Sequence, residues 1–119
     1  MAYHGSLPEA LLNRIRKVWD VVKDGCYESS FERFEAGFLF DMHPEKEVAI
    51  WESIADTYGR VRAGIIAANC STTPDDLKKL QAIIVAASTG LPEMQKKLID
   101  IISALSHDPT PKRLADLLR

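Results

Sequence analysis

The densest cluster of reactive side chains in the chain is Asp41-Met-His43-Pro-Glu45-Lys-Glu47. Carboxylates flanking a histidine can strengthen it as a base, share a metal with it, or support proton transfer. His43 and Glu47 stand four apart, so they can meet where a helix begins early enough. A metal needs three or four convergent ligands. The segment contains neither Glu-x-x-His nor His-Glu-x-x-His, so no metal site is expected. The plainer reading is a solvated helix start, with His43 as the cap and Glu45 and Glu47 favoured by the helix dipole.

Charges on otherwise apolar helix faces are the second signal. Glu35 falls within the stripe Phe31, Phe34, Phe38 and Met42, Arg62 falls between the directions of Tyr58 and Ala55, and Glu47 precedes Trp51 by one turn. A charge in such a place must find a partner, reach water or line a cleft. One reading is a polar pocket between the second and third helices, with Glu35, His43, Glu47 and Arg62 as its binding residues. The other is an internal ion pair, with Arg62 reaching out at the core edge. His107-Asp108 falls in a loop, where an adjacent pair has no set mutual geometry, and His4 lies near the N-terminus.

Other catalytic patterns are missing. There is no Gly-x-Ser-x-Gly elbow, the six glycines are scattered rather than gathered in a phosphate loop, and Cys26 and Cys70 form no Cys-x-x-Cys pair. No catalytic residue can be named and no cofactor is expected.

The elements that would position these groups are helical. Ser6-Leu-Pro-Glu9 and Ser29-Ser-Phe-Glu32 read as capping boxes. His43-Pro44, Thr73-Pro74, Gly90-Leu-Pro92 and Thr110-Pro111 each place proline in a first turn, where its missing N–H is tolerated. Apolar residues at helical spacing follow each start and predict helices over about 7–23, 30–42, 74–88 and 92–106, a third in chain order that begins at Pro44 and carries an apolar arc from Val48 to Ile65, and a short sixth after Pro111. Helices two and three are expected to form a hairpin. The segment 74–88 is apolar nearly all round beyond Lys78, Lys79 and Gln81, which predicts a central, buried helix. No period-two alternation competes. The fold class is therefore all-α: one domain, 1–119, of five to six helices, with residues 1–5 expected to be flexible.

Two further patterns bear on contacts. Ala55, Gly59, Ala63 and Ala67 recur every four residues, a row that admits close helix approach, unless Gly59 breaks the helix. Pro74-Asp-Asp-Leu-Lys-Lys-Leu resembles Pro92-Glu-Met-Gln-Lys-Lys-Leu 18 residues later, with Ile-Ile pairs following at 83–84 and 101–102. That is either one repeat of a helical array or the ordinary likeness of two proline-started amphipathic helices.

Composition narrows the function classes. The hydrophobic fraction is 46%, the charged fraction 27% and the net charge −2, ordinary values for a globular domain. That charge disfavours a dedicated nucleic-acid binder, although Lys78–Lys79, Lys96–Lys97 and Lys112–Arg113 would form a basic ridge if their helices lined up. No basic leader with an apolar stretch opens the chain and no apolar run approaches the roughly 18 residues of a membrane span. With two cysteines and no framework, the expected location is cytoplasmic. The leading expectation is a non-catalytic protein-interaction or regulatory module, joined to another protein or to a second copy. Surplus apolar surface at Phe31, Phe38, Phe40, Gly59 and Ala63 would supply the interface. A ligand-binding or enzymatic domain using the polar pocket is the alternative, and weak nucleic-acid binding through the paired lysines a third.

Overall fold

The computed structural model describes residues 7–23, 30–39, 43–67 and 75–119. These residues form six helices: α1 (Glu9–Val22), α2 (Ser30–Leu39), α3 (Pro44–Ala67), α4 (Asp75–Ser88), α5 (Pro92–Leu105) and α6 (Pro111–Leu117). The chain is an all-α bundle, 46 × 24 × 24 Å. None of its described helices is long and apolar enough to cross a membrane. The capping residues Ser6, Ser29 and Thr73, the terminator Gly25, and Phe40, Asp41, Met42, Cys26 and Cys70 lie outside the described residues.

Proline sets the starts of α3, α5 and α6. The His43 carbonyl accepts from the N–H groups of Lys46 (3.1 Å) and Glu47 (3.3 Å), closing the first turn of α3. Thr110 caps α6 through its side chain, which accepts from the Arg113 N–H at 3.2 Å. At α1 the cap position is Pro8, which has no side-chain donor or acceptor and supplies only its carbonyl, to Leu12 N–H at 2.9 Å.

Helix α3 is continuous through Gly59 and forms the axis of the bundle, packing against α1, α2, α5 and α6. The expectation that residues 74–88 would be central is corrected on this point. Helix α4 packs chiefly on α5. Its Leu77, Leu80, Ile83, Ile84 and Ala87 are buried, while Ala82 is exposed and Val85 and Ala86 are half-buried. The open face consists of small side chains, whose exposure forfeits little burial energy.

Helix directions follow from side-chain pairings. Arg14 meets Glu52, and Val21 Cγ1 lies 3.9 Å from the Cβ position of Gly59. Both pairs are 38 positions apart, so α1 and α3 run parallel, with α2 returning between them. Gln81 Nε2 donates to Tyr58 Oη at 3.0 Å, while Ala87 and Ser88 share a cleft with Glu47 and Trp51. Helix α4 therefore runs antiparallel to α3. Gln95 Nε2, in α5, donates to the carbonyl of Ala87, near the end of α4, so α4 and α5 form an antiparallel hairpin. The likeness of the two sequences extends to burial: Leu80 and Leu98, Ile83 and Ile101, and Ile84 and Ile102 are all buried. One hairpin results, rather than a stacked array. Helix α6 closes the end of α3, with Pro111 Cδ 3.8 Å from the Cβ position of Gly64 and Leu114 buried.

The phenylalanine stripe of α2 is absorbed by this core. Phe34 is 6% exposed and Phe38 3%. Phe34 lies 5.5 Å from Trp19, 5.3 Å from Phe38 and 5.2 Å from Trp51 between ring centroids. Phe31 is half-buried, edge-on to Trp19 at 6.4 Å, with the Arg16 guanidinium 4.5 Å above its ring. Phe38 is thus buried against Phe34, and Phe31 remains half-buried beside Trp19. The small-residue row divides likewise: Ala55 is buried, Gly59 faces α1, and Ala63 is exposed.

Candidate functional site

A concavity of about 540 Å³ lies where α2, the start of α3 and the α4–α5 turn converge. Glu47, half-buried in the first turn of α3, lines it together with Phe34, Phe38 and Trp51. The other sequence-predicted polar residues do not line it. Glu35 is half-buried on α2, and His43 is exposed just before α3. Arg62 follows Glu47 by 15 residues on α3, which separates them by roughly 22 Å along a straight helix. His43, Glu47 and Arg62 each take part in an interaction within the chain. A single pocket formed by all four residues is not assembled.

The opposite wall of the cleft comes from residues that the sequence reading did not single out for a site. Ser88 Oγ donates to the Val85 carbonyl at 2.7 Å, Thr89 Oγ1 to Ala86 at 2.7 Å, and Gln95 Nε2 to Ala87 at 3.2 Å. Gly90 then turns the chain at φ 92°, a backbone conformation suited to glycine just past a helix end. The carbonyls of Val85 and Ala87 also accept from the N–H groups of Thr89 (3.2 Å) and Gly90 (3.1 Å). The sequence signal was Ser-Thr-Gly closing an apolar helical run, which marks a helix end but not what faces it.

A separate polar pair joins α1 to α3. Arg14 binds Glu52 through both carboxylate oxygens, Nε to Oε2 at 3.0 Å and Nη2 to Oε1 at 2.6 Å. The hydrogen bonds from Arg14 hold the Glu52 carboxyl below the ordinary glutamate range, and the same pair raises the Arg14 guanidinium further. A carboxylate held ionised in this way is suited to structure rather than to donating a proton. No buried side-chain nitrogen or oxygen lacks a hydrogen-bond partner among the described residues. No group of three or more His, Cys, Asp or Glu is placed to hold a metal ion among them.

A second, shallower groove of about 350 Å³ follows the outer face of α4, lined by Ala82, Val85, Ala86, Thr89 and Leu91. Lys78 and Lys79 are exposed toward the N-terminal end of the same helix. They do not line up with Lys96 and Lys97, because the antiparallel hairpin sets the two pairs toward opposite ends. Lys96 is also paired with Asp100 at 3.1 Å. No protein-family model, no curated protein and no solved structure matches this chain.

Proposed function

We propose that this chain is a non-catalytic, cytoplasmic protein-interaction module, and that its contact surface is the outer face of α4. The observation that carries the reading is the groove of Ala82, Val85, Ala86 and Leu91, an apolar strip with Leu91 53% exposed. Small side chains at helical spacing leave room for the larger apolar residues of another helix to seat between them. Lys78 and Lys79 at one end favour a partner helix with carboxylates opposite them. The occupant is therefore an amphipathic acidic helix of another protein. A reducing location agrees with two cysteines that form no disulfide framework. A second reading, a ligand-binding domain, is favoured by the cleft beside Glu47.

Site-specific photo-crosslinking tests the contact. A photoreactive residue replaces Ala82 in the intact chain, expressed in its native cells, and a control carries it at exposed Ser103 on α5. One discrete adduct at position 82 only, mapping to an amphipathic acidic helix, is expected. Adducts that map to a second copy of the chain, or that form equally at position 103, or that do not form at all, would overturn the reading.

A further inference from the structure

We infer that the open face of α3 is a self-recognition surface, on which a second copy of this chain docks with its own α3 antiparallel. The inference is independent of the α4 contact, because α4 lies on the opposite side of α3, where Gln81 meets Tyr58. Ala49, Ser53, Asp56, Arg60, Ala63 and Ala67 are all exposed. Their alternating steps of four and three place them on one arc of roughly 80° along the helix. The neighbouring helices border that arc without covering it. Helix α1 meets α3 at Glu52 and Gly59, α5 at Ile50 and Ile54, and Pro111 at Gly64. Ile50 and Ile66, 38% and 63% exposed, stand at its two edges.

The order of residues along this face is symmetric about Tyr58. Asp56 and Arg60 stand two positions before and after it, Ser53 and Ala63 five, and Ala49 and Ala67 nine. An isologous contact brings residue i to j and j to i, so a two-fold axis at the level of Tyr58 sets each residue beside its counterpart on the second copy. Asp56 then faces Arg60 of the second copy, and Arg60 faces its Asp56. Farther out, Ser53 meets Ala63 and Ala49 meets Ala67, small side chains that let two helices approach to about 8 Å. Asp56 and Arg60 pair within the chain at 3.1 Å, with side chains 69% and 47% exposed. That pair points its negative end toward the start of α3 and its positive end toward the close. An antiparallel copy presents the reverse order, so the two pairs attract as they stand and neither has to break. A parallel copy would set Asp56 against Asp56 and Arg60 against Arg60, a like-charge contact. Two-fold self-contact requires this symmetry and an unrelated helix does not, which favours a second copy as the occupant. From Ala49 to Ala67 the face runs roughly 27 Å. One helix pair of that length falls at the small end of specific interfaces, under roughly 1,200 Å². The dimer is therefore expected to form as concentration rises and to dissociate on dilution.

Sedimentation velocity of the full chain over a range of concentrations tests the assignment. The parent chain is expected to pass from monomer to dimer. Asp56→Arg leaves two positive charges at the centre of the face, and Arg60→Asp leaves two negative ones. Each variant alone is expected to dimerise at least about tenfold more weakly than the parent. An equimolar mixture of the two is expected to recover the dimer. The double variant, in which the charges are exchanged, is expected to recover it alone, which keeps the test decisive if one single variant folds poorly. Direction is read from a photoreactive residue at Ala67, expected to form its adduct near Ala49 of the second copy. A monomer at every concentration, single variants that dimerise like the parent, or a mixture and a double variant that both stay monomeric would overturn the assignment. An adduct between the two copies of position 67 would overturn the antiparallel arrangement.

Discussion

The two halves of this bundle are held together by different means. Between α1, α2 and α3 buried aliphatic residues such as Ile15 and Val61 are joined by rings and an ion pair: Phe34 touches Trp19, Phe38 and Trp51, and Arg14 clamps Glu52 across α1 and α3. Between α4 and α5 the contacts are aliphatic, with Leu80, Ile84, Leu98, Ile102 and Leu105 almost wholly buried. Rings and ion pairs impose directional geometry, whereas branched aliphatic side chains mainly fill volume. The difference bears on where ligands can act. The ring half encloses Phe34, Phe38 and Trp51 while Val21, Ile50 and Ile66 stay exposed, and the aliphatic half leaves a small-residue face and a polar turn at the surface.

The strongest way to break this comparison is to remove its two centres separately. Phe34→Ala should cost about 3–5 kcal/mol and Leu105→Ala about 2–5 kcal/mol in denaturant unfolding. The near-ultraviolet circular dichroism should tell them apart. Both tryptophans of the chain contact Phe34, so Phe34→Ala should flatten that signal in the folded state. Leu105→Ala should preserve it. An equal loss of signal in both variants would mean that the halves pack as one unit and that the division is only compositional.

Much of the fold was legible because its determinants are local. Pro44, Pro92 and Pro111 start helices in the structure where the sequence places them, since a fixed φ and a missing N–H act within one turn. The apolar character of Phe31, Phe34 and Phe38 was equally plain. Their destination was not, because it depends on Trp19 and Trp51 arriving from two other helices. Arg14–Glu52 was invisible for the same reason: a pair 38 residues apart has no local signature and needs α1 and α3 to run parallel. Helix α4 misled through composition alone. Alanine and valine count as apolar whether or not another helix covers them, so composition predicts an enclosed helix where Ala82 is in fact exposed. At the cleft, Glu47 drew notice as a charge on an apolar face. Ser88, Thr89 and Gln95 join it only because α4 runs back toward the start of α3.

Two glycines sharpen the comparison at lower cost, with opposite signs. Gly59 sits inside α3, and a Cβ there would meet Val21 Cγ1 at 3.9 Å, an ordinary contact. Gly59→Ala should stabilise the chain by about 1 kcal/mol, the helix-propensity difference. Gly90 stands in the α4–α5 turn at φ 92°, where a side chain strains the backbone. Gly90→Ala should destabilise by about 1–2 kcal/mol. Both values can be read from denaturation midpoints, and the double variant should give their sum if the halves act independently. A destabilising Gly59→Ala would show that α1 and α3 tolerate no added volume at their contact.

The smallest effect should come from the ion pair that ties α1 to α3, and its sign with pH is fixed by the direction of the Glu52 shift. Arg14 lowers the Glu52 pKa in the folded chain, so the folded state binds a proton at this site less readily than the unfolded state. The contribution is therefore complete above the ordinary glutamate range and disappears as the pH falls through the lowered folded value. Arg14 remains charged throughout, since the pair raises its pKa. Both side chains are about two-fifths exposed, so solvent and salt screen the pair and the effect on the melting temperature should be slight. Arg14→Ala should lower the melting temperature at neutral pH in low salt, and the gap from the parent chain should close in acid. Glu52→Gln should show the same pH pattern. A gap that persists unchanged in acid would assign the loss to the packing of the arginine stem against α3, and the parallel pair of helices would then be held by apolar contact alone.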